Sequence, residues 1–128
     1  MVFILPMSVM LFGCASAMPE TIPEGTSPAT FFQKAQEASS ESRFDDAIQW
    51  YSTFIERYPE MEGQIAEAEY EIAFIHYKKG DEESAVKLFE ALLQKYRSDR
   101  AASWPQWPRV LAVKLLDRIN EEGNAPAE

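Results

Sequence analysis

His76 is the only histidine in the chain, so imidazole acid–base or ligand chemistry would have to run through it. As a base it needs a nucleophile or an orienting carboxylate, and no motif supplies one. As a metal ligand it lacks a second histidine or cysteine at any ligand spacing. Its neighbours Ile72, Phe74 and Ile75 point to a packing or groove residue instead. Asp81-Glu82-Glu83 imitates a cation site, yet acids in the first turn of a helix are explained by the helix dipole. Glu67, Glu69 and Glu71 scatter around one helix and cannot converge on one ion. Cys14 is the single cysteine, so no internal disulfide can form, and its thiolate is the nucleophile that remains. No phosphate loop, nucleophile elbow or dinucleotide fingerprint is present. The expectation is a non-enzyme without catalytic residues, metal or cofactor.

The helices that carry these residues form a repeated phrase. The segment from Arg43 to Tyr58 returns as the segment from Asp81 to Tyr96, at an offset of 38 residues (85 − 47). Ala47 falls on Ala85, Tyr51 on Phe89, Phe54 on Leu92, Ile55 on Leu93 and Tyr58 on Tyr96. Within each copy the apolar positions follow the i, i+3, i+4, i+7 spacing of one helix face. Each copy is preceded by a further helical stretch, over 28–41 and 64–79. The second stretch is apolar on two flanks: Ile65, Ala68, Ile72 and Ile75 on one, Ala66, Tyr70, Ala73, Phe74 and Tyr77 on the other. A helix of that kind lies between neighbours. The spacing predicts an all-α, short α-solenoid of two helix hairpins, whose units cannot bury their apolar faces alone.

Local punctuation agrees. Ser27-Pro28 is a helix start, the hydroxyl capping free N–H groups and the proline ring fitting the first turn. Gly80 stands where the chain must reverse, and glycine enters the left-handed region without steric cost. Ser42 holds the same place one repeat earlier and specifies the reversal less well. Pro59 cannot continue a helix and closes the first repeat.

At these residues the chain resembles the tetratricopeptide repeat family. Ala47 and Ala85 match the small residue where that family's paired helices touch, Tyr51 and Phe89 the following aromatic, and Ala35 and Ala73 the small first-helix residue. Pro59 matches the terminal proline, and Gly80-Asp81 with a later Ala85 fits the same pattern. Arg97 replaces the terminal proline of the second repeat, and Lys34 stands where leucine is usual. The resemblance covers about residues 28–97, with repeats at about 28–60 and 64–97, and it implies protein binding without catalysis. Such binding uses a groove formed mainly by the first helix of each repeat. Here the groove candidates are Phe31, Lys34, Ala38, Glu69, Ile72 and His76.

Residues 1–13 carry no ionised side chain and are too short to span a bilayer, which takes about 20 residues of helix. They fit the apolar core of a secretory signal, although no lysine or arginine precedes it. Leu11-Phe12-Gly13-Cys14 resembles the bacterial lipobox, which implies lipidation at Cys14 through a thioether (diacylglycerol, with palmitate as a typical acyl group). Residues 14–27 hold Pro19, Pro23 and Gly25 among small and polar residues, the composition of a flexible tether. A capping helix is expected over about 106–121, packing through Val110, Leu111, Leu115, Leu116 and Ile119, with a disordered tail over 123–128. Trp104-Pro105-Gln106-Trp107-Pro108 precedes it. Trp104 and Trp107 either plug the open end of the helix stack or form an aromatic docking site.

With 12 basic against 21 acidic residues the net charge is −9, which disfavours nucleic acid and a body lying on anionic lipid. Any membrane contact should come through Cys14. A domain this small buries only about 60–65% of its unfolded surface, so self-association as a homo-oligomer or a protein partner is expected. Repeats behind a lipobox look like the BamD-type outer-membrane assembly lipoproteins and the Tol–Pal-associated coordinators of the periplasm. The implied protein is a lipid-anchored scaffold of the bacterial envelope, facing the periplasm from the outer membrane, with other envelope proteins as partners. The competing expectation is a cytosolic adaptor or regulatory subunit whose N-terminus is mis-assigned.

Overall fold

The computed structural model describes residues 21–126. Five α-helices follow one another: α1 (Pro28–Ser40), α2 (Phe44–Arg57), α3 (Glu62–Lys78), α4 (Glu82–Lys95) and, after a 3-10 turn at Asp99–Ser103, α5 (Trp107–Gly123). Ser27 caps α1, its Oγ accepting the Thr30 N–H at 3.2 Å with Pro28 in the first turn. Asp81 caps α4, its Oδ1 accepting the Ser84 N–H at 3.2 Å. Each cap satisfies an N–H that the helix itself leaves free.

The repeat reaches down to single backbone hydrogen bonds. After α1, Ser42 takes a φ of 59°, and after α3, Gly80 takes 80°. Arg43 N–H donates to Ala38 O at 2.8 Å and Ser42 N–H to Ser39 O at 3.1 Å. In the second hairpin Asp81 N–H donates to His76 O at 2.9 Å and Gly80 N–H to Tyr77 O at 3.0 Å. Each donor and acceptor is displaced by the same 38 residues (80 − 42). Left-handed backbone costs a residue with a Cβ about 1–2 kcal/mol, so the Ser42 reversal is the weaker of the two.

Packing follows the two-sided pattern of α3. Phe31, Ala35 and Ala38 of α1 meet Ala47, Tyr51 and Phe54 of α2, and Ile65, Ala68, Ile72 and Ile75 of α3 close that core. The other flank of α3, with Ala66, Tyr70, Ala73, Phe74 and Tyr77, packs on Ala85, Phe89 and Leu92 of α4 and then on Ala112 and Leu115 of α5. Ala35, Ala47, Ala73 and Ala85 are all fully buried, which lets paired helices approach closely. The fold is an all-α, short solenoid of two tetratricopeptide-like hairpins and a C-terminal helix.

Two expectations change. Residues 22–27, assigned to the tether, are tied down. Ile22 is buried in the first core, and the Arg57 guanidinium donates to Pro23 O at 2.6 Å and Ile22 O at 2.9 Å. Tyr58 Oη donates to Thr26 O at 2.7 Å, and its repeat counterpart Tyr96 donates to Pro105 O at 2.6 Å. The repeated tyrosine thus pins the segment leading into another helix, a use that spacing along one helix cannot reveal. Second, α5 is rolled so that Pro108, Ala112, Leu115 and Ile119 face inward, while Val110 and Leu111 are exposed. At about 100° per residue Val110 falls opposite the face that Ala112 and Leu115 define, and Leu111 falls at its edge.

Candidate functional site

The groove candidates do not share one surface. Phe31 and Ala38 are fully buried; Phe31 packs against Trp50, Phe54 and Tyr58 at ring-centroid distances of 5.7, 6.1 and 6.2 Å. Neither can line an open groove, because both point into the contact with α2. Lys34 is exposed and pairs with Glu37 at 3.3 Å. Glu69 and Ile72 lie in a trough between α3 and α4 beside Leu88, Leu92 and Lys95. That trough widens toward Trp104 to 350 Å³ and is bridged by Lys95–Glu69 and by Arg100–Glu62, the latter at 2.9 Å.

His76 sits at the α3–α4 reversal with Nδ1 3.2 Å from Asp81 Oδ2. Ser84 addresses the same carboxylate through its N–H and its hydroxyl. These hydrogen bonds, those of Ser84 ahead of that of His76, hold the Asp81 carboxyl below the usual carboxylate range. A serine, a histidine and an aspartate therefore meet, but the carboxylate stands in the middle. A catalytic relay needs the imidazole there, next to the hydroxyl it deprotonates. The geometry serves to fix the turn and the start of α4. Among the described residues no three potential metal ligands gather at one point.

A different surface runs along α3, from Lys78, which reaches α1, to Trp107 of α5. Lys78 Nζ at the end of α3 reaches Ser39 Oγ of α1 at 2.6 Å and lies over the rings of Phe44 and Phe74 at 5.2 and 5.1 Å. Tyr70, Phe74 and Tyr77 stack along α3 at 6.1 and 6.2 Å between centroids. At the α5 end the exposed indole of Trp107 stands edge-on to Tyr70 at 5.1 Å, and its Nε1 donates to Glu67 Oε1 at 2.9 Å. Trp104 has a separate place: half-buried in the second core, edge-on to Tyr96 at 5.4 Å. Gly63 makes room for that corner, since a Cβ there would stand 3.1 Å from Pro105 Cδ.

Glu71 lies in this first-helix face and makes no hydrogen bond among the described residues. Burial pushes its carboxyl above the ordinary value, Lys78 opposing and Glu67 adding. Burial first, and Glu71 second, push the Tyr70 hydroxyl up to about 12, and the Tyr51 hydroxyl is raised by the same causes in the same order. Tyr51 is 1% exposed and its hydroxyl has no partner among the described residues. Glu71→Gln should therefore raise the melting temperature at pH 7 by a few degrees, about what 0.5–1 kcal/mol produces in a domain this size. A carboxyl raised in the folded state takes up its proton sooner than the unfolded chain, so its cost is present above the folded pKa. The cost disappears below the unfolded value, near 4.5. Melting wild type and variant from pH 7 down to pH 4 checks both the sign and the convergence.

The face composed of Glu67, Glu71, Phe74, Lys78 and Trp107 was not among the groove candidates. The signal was available in the second flank of α3, Tyr70-Ala73-Phe74-Tyr77. What the pattern lacked was the placement of α5 and of the Lys78 side chain, which set Trp107 at one end of that flank and Ser39 of α1 at the other.

Comparison with known proteins agrees with this architecture. Residues 67–99, most of α3 and all of α4, match the model of the tetratricopeptide repeat family. That match supports a tetratricopeptide assignment, and with it a module that generally binds proteins and does not catalyse. An uncharacterized protein of Treponema pallidum (strain Nichols) is 31% identical over 108 residues, covering 84% of this chain and 42% of the relative. The chain thus spans less than half the length of the curated relative it matches. No solved structure matches it significantly.

Proposed function

We propose that this protein is a non-catalytic scaffold of the bacterial envelope, anchored by lipid at Cys14, that holds other envelope proteins during envelope or outer-membrane assembly. The observation that carries the scaffold role is the face of α3 that meets Trp107, where that exposed indole and the half-buried Phe74 and Tyr77 lie beside Glu67 and Glu71. Such a face offers a partner apolar area, cation–π contacts and charge in one place. Lipobox-like Leu11-Phe12-Gly13-Cys14 supports the anchor; Cys14 lies outside the described residues. Among the described residues no helix is long and apolar enough to cross a membrane.

The deciding experiment is the intact mass and N-terminal identity of the protein extracted from membranes of its native cell. A chain that begins at a diacylated Cys14 supports anchoring, and crosslinking from Phe74 in those membranes then identifies what is held. An unmodified chain retaining Met1 overturns the anchor and leaves a cytosolic adaptor as the reading.

A further inference from the structure

Among the described residues, every large apolar side chain left exposed belongs to α5: Trp107 at 38%, Val110 at 45%, Leu111 at 37% and Val113 at 44%. Val110 and Val113 join Leu93 of α4, with Arg109 and Lys114, around an open trough of 360 Å³. At 3.6 residues per turn Arg109, Val110, Val113, Lys114, Asp117 and Glu121 fall within an arc of about 140°, opposite the buried side of the helix. None of these four charged residues forms an ion pair within the described chain.

The order of charge along this stripe is unusual. Cations stand toward the helix start and acids toward its end, with no acid in the first turn and no base in the last. That is the reverse of what the helix's own dipole favours. An antiparallel helix laid on the stripe would turn each mismatch into a match, provided it carries the same order of charge. A second copy of α5 does.

We propose that the outer face of α5 is a self-association surface, through which two copies pair antiparallel about a two-fold axis. One axis near residue 115 sets Arg109 beside Glu121 of the second copy and Lys114 beside its Asp117. Arg109 and Glu121 each lie six residues, about 9 Å, from that point. Val113 of each copy then lies about 3 Å along the helix from the two-fold, beside Val113 of the other, and Val110 meets Asn120. The contact is isologous, so it closes at two copies and does not propagate. It uses a surface separate from the first-helix face around Glu71.

The test is sedimentation equilibrium on the full chain carrying Cys14→Ser, which removes lipid and intermolecular disulfides. The expected result is a dimer that loosens with added salt. Val113→Asp should weaken it by about a hundredfold, because an unpaired carboxylate would be buried in the contact. Its helical circular dichroism should not change, since Val113 is already exposed in the monomer. Arg109→Glu should also weaken the dimer, and adding Glu121→Arg should restore it. A wild-type monomer would overturn the proposal and assign the face to another occupant. So would a dimer that survives Val113→Asp, or a charge exchange without rescue.

Discussion

Ala85→Trp is expected to abolish the cooperative thermal transition. Ala85 is fully buried where α4 meets α3, in one cluster with Tyr70, Ala73, Phe89 and Leu92. Its methyl group sets how closely the two helix axes approach, and an indole cannot enter without driving them apart. Overpacking by even a few methylenes costs about 1–3 kcal/mol, and an indole adds far more volume than that. A domain of this size holds a margin near the low end of about 5–15 kcal/mol. Because α3 is shared by both cores, separating α4 from it also exposes the flank that α5 covers. Circular dichroism followed through a thermal ramp should show a broad, shallow decline in place of a sigmoid. Glu90→Trp, on the exposed side of α4, is the control and should melt like the parent. If Ala85→Trp did the same, the close helix pairing at this position would be wrong.

Phe31→Ala is expected to cost about 3–5 kcal/mol, the range for deleting a buried aromatic ring. Phe31 has no exposed surface, and three aromatic rings together with the Arg57 guanidinium, 5.5 Å from its centroid, surround it. Arg57 is also the residue that holds Ile22 and Pro23, so the loss should loosen the segment before α1 as well. Urea unfolding should show the midpoint falling with little change in slope, as stability drops while the area exposed on unfolding stays the same. A residue lining an open groove would behave differently, shifting stability by no more than about 0.5 kcal/mol while weakening partner binding. The two outcomes separate the core position seen here from the groove position that the family resemblance implies.

Much of this protein was legible in one dimension. Helix positions followed from the spacing of Ala47, Tyr51 and Phe54 and of Ala85, Phe89 and Leu92, because apolar residues at 3.6-residue periodicity have one way to share a face. Both reversals were marked at Ser42 and Gly80, since left-handed backbone is a property of one residue and its neighbours. The two flanks of α3 divided between two cores along the lines that their side chains drew. These are local or nearly local properties, set within a few residues of chain.

What only the tertiary structure decided is how each helix is rolled and which distant groups meet. Periodicity says that a helix has an apolar face, but Phe31 and Phe32 are adjacent, and only docking on α2 made the first fully buried. The same roll took Val110 and Leu111 out of the expected cap contact and made Pro108 and Ala112 its substance. It also put Glu71, rather than Glu69, beside the stacked aromatics of the first-helix face. Tyr58 and Tyr96 looked like the ends of helices and turned out to hold Thr26 and Pro105, partners that no spacing within a helix can name. The reason is physical: backbone hydrogen bonds and side-chain period are short-range and fix a helix about its own axis. Its rotation against neighbours is set by the summed fit of many weak contacts between residues far apart in the chain.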